Sequence, residues 1–236
     1  MKAVILAGGY GTRLAELTKV NPKPLIKIGS NPIIWHVMKI YSFFGIKEFI
    51  ICLGYKGYLL KKELLKYKKK EKWNINFVNT GLTTMTGGRL KRVKRFLKNE
   101  KFFCLSYGDG LSNVNLNKLI KFHIKKNKIA TLTAVKYKNP KGILSIFKNS
   151  KIRTIKEKPI EYINGGFFVL SNKIFKYLKN YKTIFEKDCL PKLTKKKELV
   201  AYKHNGYWVC MDTMREKEEI NKIWKNKKAP WKIWNN

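Results

Sequence analysis

The stretch that most constrains this chain is its opening, MKAVILAGGYGTRLAELTKVNPKPL. Ala3-Val4-Ile5-Leu6-Ala7 is an apolar run with the length and β-branched content of a buried central strand. Gly8, Gly9 and Gly11 follow, so the strand must end in a turn. Their missing side chains let main-chain N–H groups close on something bulky and anionic. Thr12 and Arg13 supply a hydroxyl and a planar guanidinium suited to polyphosphate oxygens. Lys23 lies between Pro22 and Pro24, which stiffen its backbone. Neither common phosphate motif fits: Gly9-Tyr10-Gly11 is half of a dinucleotide fingerprint, but its third glycine would fall at Leu14, and no Lys-Ser/Thr pair makes a P-loop. Taken alone, the stretch is also compatible with a glycine turn that binds nothing.

The chain beyond it alternates strand and helix. Pro32 opens a helical pattern over Ile33–Phe44 that Gly45 ends. Phe49–Leu53 reads as the next buried strand, followed by a turn at Gly54–Gly57 and a lysine-rich helix through Tyr67. Asn74–Val78, Phe102–Tyr107 and Ala130–Tyr137 read as further strands, and Leu90–Leu97 as a helix. A hairpin is expected from Ile143–Phe147 and Ile152–Ile155, then a strand over Phe167–Leu170 entered through Asn164-Gly165-Gly166. The remainder reads as helical: Lys173–Tyr181, Glu186–Leu193 and Arg215–Lys225. This order predicts an α/β fold of Rossmann-like type, a mixed, mostly parallel sheet with helices on both faces. At 236 residues and 44% hydrophobic content, one domain over 1–236 is expected, with 228–236 as an aromatic tail around Trp231 and Trp234 that needs a surface to cover. His36, alone in a helix, reads as a packing residue.

The formal charge of +37 suggests nucleic acid or an anionic membrane, but only six of the 52 basic residues are arginine and the lysines are spread over almost every polar segment. Solvated faces are expected instead, with no nucleic-acid and no membrane partner, and the field would steer phosphorylated substrates toward the cleft. No apolar run approaches membrane-spanning length and no basic leader precedes the first strand, so a cytoplasmic location is expected. The four cysteines form no C-x-x-C pair and read as reduced thiols. Two isolated acids, Asp109 between Gly108 and Gly110 and Asp212 after Tyr207–Cys210, each follow apolar sequence. In a chain with 15 carboxylates, acids at strand ends are metal candidates.

LAGGYGTRL followed by NPKPLIKIG resembles the signature of the sugar-nucleotide pyrophosphorylases, nucleotidylyltransferases that join a nucleoside triphosphate to a sugar 1-phosphate. The segments TGLTTMTGGRLKRV, SYGDG, EKP, INGGFFVL, GYWVCMDTMREK and KAPWKIW continue the resemblance, in order, to the glucose-1-phosphate cytidylyltransferase branch. The resemblance implies CTP and α-D-glucose 1-phosphate as substrates, CDP-glucose and pyrophosphate as products, Mg²⁺ as cofactor and a homo-oligomer. It implies a nucleotide site of Leu6, Ala7, Gly8, Gly9, Tyr10, Gly11, Thr12, Arg13, Lys23, Thr84, Arg89 and Gly108. Within that site Arg13 and Lys23 are catalytic, Arg13 on the leaving pyrophosphate and Lys23 on the α-phosphate. Glu157, Lys158 and Asn164 would bind the sugar phosphate, and Asp109 and Asp212 the ion. UTP, dTTP or a different sugar 1-phosphate are the alternatives within this class; a non-catalytic nucleotide-binding module and a nucleic-acid binder are those outside it. The chain departs from the branch where a longer insertion shrinks to Lys68–Trp73 and where Pro140-Lys141-Gly142 replaces an Arg-Phe-Gly.

Overall fold

The computed structural model describes residues 1–139 and 141–234, so Pro140 and the last two residues of the 228–236 tail lie outside the described residues. In chain order the first half comprises β1 (Lys2–Leu6), α1 (Ala15–Thr18), β2 (Lys27–Ile28), β3 (Asn31–Pro32), α2 (Ile33–Phe43), β4 (Glu48–Leu53), α3 (Gly57–Lys68), β5 (Asn74–Asn79), α4 (Thr86–Arg92), β6 (Phe102–Tyr107) and β7 (Gly110–Ser112). The second half comprises α5 (Leu116–Lys126), β8 (Ala130–Lys138), β9 (Ile143–Ile146), β10 (Ile152–Lys156), β11 (Ile160–Ser171), α6 (Leu190–Lys195), β12 (Leu199–His204), β13 (Trp208–Cys210) and α7 (Met214–Lys225).

Seven strands form one sheet in the order β12-β8-β11-β6-β1-β4-β5. β1 runs parallel to both β4 and β6, β4 to β5 and β12 to β8, while β11 is antiparallel to β6 and β8. The expected mixed, mostly parallel sheet is therefore what forms. Successive residues of a strand point to opposite faces. In β1, Ala3 and Ile5 enter a core shared with α2, α3, α5 and α7, whereas Val4 and Leu6 enter a second core under α4 and α6. Both faces of the sheet are thus covered by helices, which is why β1 reads as an unbroken apolar run.

Four local expectations change. The α4 helix begins at Thr86 and carries Gly87 and Gly88 inside it, because it lies directly on the 181–183 main chain; a Cβ on Gly88 would stand 2.3 Å from the Tyr181 carbonyl oxygen. Asn164-Gly165-Gly166 does not precede a strand but interrupts β11 as a bulge, where the register jumps between Asn164 and Phe168 and Gly166 takes φ +76°. The 173–181 and 186–193 segments are not plain α-helices: a 3₁₀ turn spans Asn172–Tyr177, and a π turn over Phe185–Cys189 leads into α6. Finally, Leu199–His204, outside every expected element, forms an edge strand paired with β8.

The aromatic tail covers its own chain. Trp231 is fully buried and Trp234 nearly so, and with Trp35 and Trp224 they surround His36. His36 Nε2 lies 3.0 Å from the Ile28 carbonyl oxygen. A carbonyl can only accept, so Nε2 carries a proton. Burial pushes this histidine down to about 4, the Ile28 contact opposing weakly.

Candidate active site

In the sheet order, the chain steps from β1 outward to β4 and β5, then returns to place β6 on the other side of β1. Ligands of open α/β sheets bind in the crevice beyond the strand C-termini at such a reversal. A cavity of about 770 Å³ lies there, walled by the 6–13 loop, residues 82–86, 107–110, the β11 bulge and residues 208–212.

Its floor is a linked set of charges. Lys23 Nζ donates to Asp109 Oδ2 at 2.5 Å and to Asp212 Oδ1 at 2.6 Å, and Arg13 Nη1 donates to Asp212 Oδ2 at 2.7 Å. Burial pulls the Lys23 ammonium down, but Asp109 and Asp212 together outweigh it and hold the group above its ordinary value. Burial likewise pushes Asp212 up, and Lys23 and Arg13 reverse this, keeping it below the usual carboxylate range. The turn Lys23–Leu25, with Pro24 at its start, aims Lys23 inward. Asp212 is held from the other side: Glu216 Oε2 accepts from the main-chain N–H of Asp212 at 2.7 Å and of Thr213 at 2.8 Å.

The carboxylates of Asp109 and Asp212 and the Cys210 sulfur lie within 4.8 Å of one another. Burial, then Asp109, drives the Cys210 thiol up, so it stays protonated and leaves two carboxylates as the hard donors. The Lys23 ammonium between those carboxylates already plays the part of a cation, which is the chemistry a divalent metal would find there.

The glycine loop is shaped from beneath. The buried Arg89 donates through Nη1 to the Leu53 carbonyl, Thr80 Oγ1 and the Gly81 carbonyl, and through Nη2 to the Gly8 carbonyl at 2.8 Å and the Leu82 carbonyl at 3.3 Å. A Cβ on Gly8 would lie 2.1 Å from Arg89 Nη1, whereas a Cβ on Gly9 would meet nothing within 4 Å.

The sequence profile of the family described as "Nucleotidyl transferase" matches residues 2–222. The chain belongs to that family. It is 44% identical to the glucose-1-phosphate cytidylyltransferase of Salmonella typhimurium, over 99% of this chain and 100% of that one. A probable glucose-1-phosphate cytidylyltransferase of Bacillus subtilis is 43% identical with the same coverage. The crystal structure of HddC from Yersinia pseudotuberculosis superposes with a TM-score of 0.77 at 25% identity, covering 94% of this chain and 99% of that chain. The Salmonella alignment runs over 257 positions against 236 residues here, so that relative carries additional segments.

As a nucleotidyltransferase, the chain is an enzyme, and its cavity gathers most of the residues expected from sequence. Leu6 through Arg13, Lys23, Thr84, Gly108, Asp109, Asn164 and Asp212 all line it. Two expectations meet a different geometry. Arg89 touches the cavity wall, but its guanidinium bonds go to main-chain carbonyls and Thr80, so it braces the glycine loop from behind. Glu157 and Lys158 do not join the site: they follow β10, with side chains 74% and 55% exposed and an ion pair only to each other at 3.9 Å. The β9–β10 hairpin forms a two-stranded sheet separate from the seven-stranded one, and neither residue lines the cavity.

Sequence reasoning missed Glu186, Tyr107 and Trp208, which also line the cavity. Glu186 accepts from Thr86 Oγ1 at 2.7 Å and from the Tyr107 hydroxyl, and Trp208 Nε1 donates to the Gly165 carbonyl at 2.7 Å. Burial, then the Glu186 charge, holds Tyr107 protonated well above its usual range. Glu186 was hidden in a segment read as an ordinary helix. It lies within the π turn Phe185–Cys189, an element frequent at functional sites that apolar periodicity does not reveal.

Proposed function

We propose that the chain joins CTP to α-D-glucose 1-phosphate, forming CDP-glucose and pyrophosphate with Mg²⁺. The observation that carries this reading is the single contact chain Arg13–Asp212–Lys23–Asp109 at the mouth of the glycine loop. The names of the Salmonella and Bacillus relatives support the nucleotide and the sugar. A phosphate oxygen of the sugar 1-phosphate forms a bond to the α-phosphorus of CTP in line with the breaking bond to the bridging oxygen. That bond's electron pair leaves with pyrophosphate. The protein's work is positioning and charge neutralisation.

Main-chain N–H groups of Gly8–Thr12 hold the triphosphate, and the 82–86 segment with Thr84 faces the base. Lys23 leaves its carboxylates for the α-phosphate, and Arg13, 74% exposed and free to swing, meets the departing pyrophosphate. Asp109 and Asp212 would hold the Mg²⁺, which would supply charge neutralisation for the phosphates. Asn164 serves the sugar hydroxyls. A role for Glu157 and Lys158 on the sugar phosphate requires the β9–β10 hairpin to fold over the cavity mouth. Leu144, Ile146, Phe147, Ile152, Ile155 and Ile160 of this hairpin region stand exposed, an apolar surface that supports a homo-oligomer. One sheet carrying both cores supports a single domain over 1–236. Among the described residues no helix is long and apolar enough to cross a membrane; a cytoplasmic location belongs to the same proposal.

The test is pyrophosphate release from CTP, UTP, dTTP and GTP, each paired with glucose 1-phosphate and with mannose 1-phosphate. Rapid, Mg²⁺-dependent release is expected for CTP with glucose 1-phosphate. Equal rates with UTP or dTTP would overturn the nucleotide assignment, and equal rates with mannose 1-phosphate the sugar.

A further inference from the structure

A second cavity, of about 760 Å³, opens between the segment running from α1 to β3, the middle of α3 and one face of α7. Its floor is apolar: Leu17, Leu25, Ile26 and Pro32. Its rim is cationic. Lys217, Asn221 and Lys225 recur at four-residue spacing along one face of α7, with Lys222 three residues before Lys225, and Lys27 lines the same cavity from β2. Of the two acids nearby, Glu63 is paired with Lys66 at 2.5 Å and Glu218 stands alone. Among the described residues none of Lys27, Lys217, Lys222 and Lys225 has an ion-pair partner. An apolar floor under a lysine rim suits a molecule with a flat or apolar body and attached phosphates.

Both walls of this cavity lead into the active site. Leu25 lines the second cavity, while Lys23, two residues earlier in the same turn, reaches between Asp109 and Asp212. The α7 helix starts directly after Asp212, and Glu216 in its first turn anchors the Asp212 main chain. Asn221 ties the two walls together: its side chain accepts from the Gly29 N–H at 2.9 Å and donates to the Lys27 carbonyl at 3.5 Å. Anything wedged between α7 and the 25–29 segment therefore bears on the Lys23–Asp212 contact.

We propose that this cavity is a second, effector site for a phosphate-bearing molecule of the nucleotide class, coupled to the active site through Lys23 and Asp212. The proposal does not depend on which triphosphate is the substrate. The phosphates lie among Lys217, Lys222, Lys225 and Lys27, and the body of the molecule covers Leu25 and Ile26.

Equilibrium dialysis of the full chain with CTP, CDP-glucose and tripolyphosphate, in EDTA, tests it. At least one of these probes is expected to bind the wild-type chain at two classes of site. K222E/K225E should lose one class, weakened by about tenfold or more. K23A should weaken the other class and spare this one. The neutral K222Q/K225Q should weaken the same class to a smaller degree with an unchanged circular dichroism spectrum, which separates lost binding from lost folding. One class in the wild type for all three probes, or a second class indifferent to K222E/K225E and K222Q/K225Q, would overturn the proposal. A K23A variant that changed neither class would instead count against the active-site reading.

Discussion

Gly8 and Gly9 are neighbours that lack a side chain for opposite reasons. Gly8 is packed against Arg89 and the Gly54 main chain, so Gly8→Ala must expel the guanidinium that holds the loop together. Gly9 borders open space and keeps an ordinary φ. Gly9→Ala is therefore expected to leave thermal stability within about 0.5 kcal/mol of wild type while weakening nucleotide binding. Gly8→Ala is expected to lower stability by about 2–4 kcal/mol through the buried charge it displaces. Urea unfolding and nucleotide titration of the two variants check the pair; equal stability losses would contradict the geometry. At Asp109, removing one formal charge leaves Lys23 with Asp212 alone. Asp109→Asn is expected to abolish turnover with its circular dichroism spectrum intact, and near-normal activity with Mg²⁺ would remove Asp109 from the metal site. These residues were legible because their chemistry is local: glycines after an apolar run, a lysine between prolines, acids at strand ends. Arg89 was legible as present but not as buried, since nothing in TGGRL tells a guanidinium whether to face a ligand or a carbonyl.

At the scale of elements, α7 shows how a helix start serves the site. Thr213 Oγ1 accepts from the Glu216 N–H at 3.2 Å and Glu216 returns the bond to the Thr213 N–H, a capping box. Thr213→Ala is expected to cost about 1 kcal/mol of stability and to weaken binding of Mn²⁺, used as a spectroscopic probe, because Glu216 also fixes the Asp212 main chain. Denaturant unfolding and electron paramagnetic resonance titration read the two effects separately. Through β8 the sheet strands β1, β4, β5, β6 and β8 and the helices α2 and α3 were legible from apolar runs and glycine punctuation, whereas α5 and the short strands β2, β3 and β7 were not. β12 was not, because an edge strand is covered on fewer sides: Leu199–His204 alternates only weakly between half-buried and exposed and follows the basic Thr194–Lys197 run. The bulge in β11 was hidden for a related reason, since paired glycines read equally as a loop or as a distorted strand.

For the molecule as a whole, two buried imidazoles set a limit in acid. His36 and His123 are both pushed down to about 4 by burial. Above the ordinary histidine value of 6.5 both states are neutral and the shift contributes nothing to the pH slope. As pH falls from 6.5 toward 4, the unfolded chain binds protons that the folded one refuses, so stability falls across that window. The expected loss is about 2 kcal/mol per histidine by pH 5. Urea midpoints between pH 7.5 and 5 measure it, and His36→Gln should flatten part of the slope, the rest staying with His123 and with His204, which burial also lowers. The aromatic cluster around His36 is the other whole-molecule dependence: Trp231→Ala is expected to cost about 3–5 kcal/mol by opening a cavity between α2, α7 and the tail. That tail has a consequence in biosynthesis. A polypeptide that stops between residues 217 and 230 carries Arg13, Lys23, Asp109 and Asp212, yet lacks the Trp231 and Trp234 rings that pack on His36. Until those two rings follow, the His36 face of α2 is left without that cover.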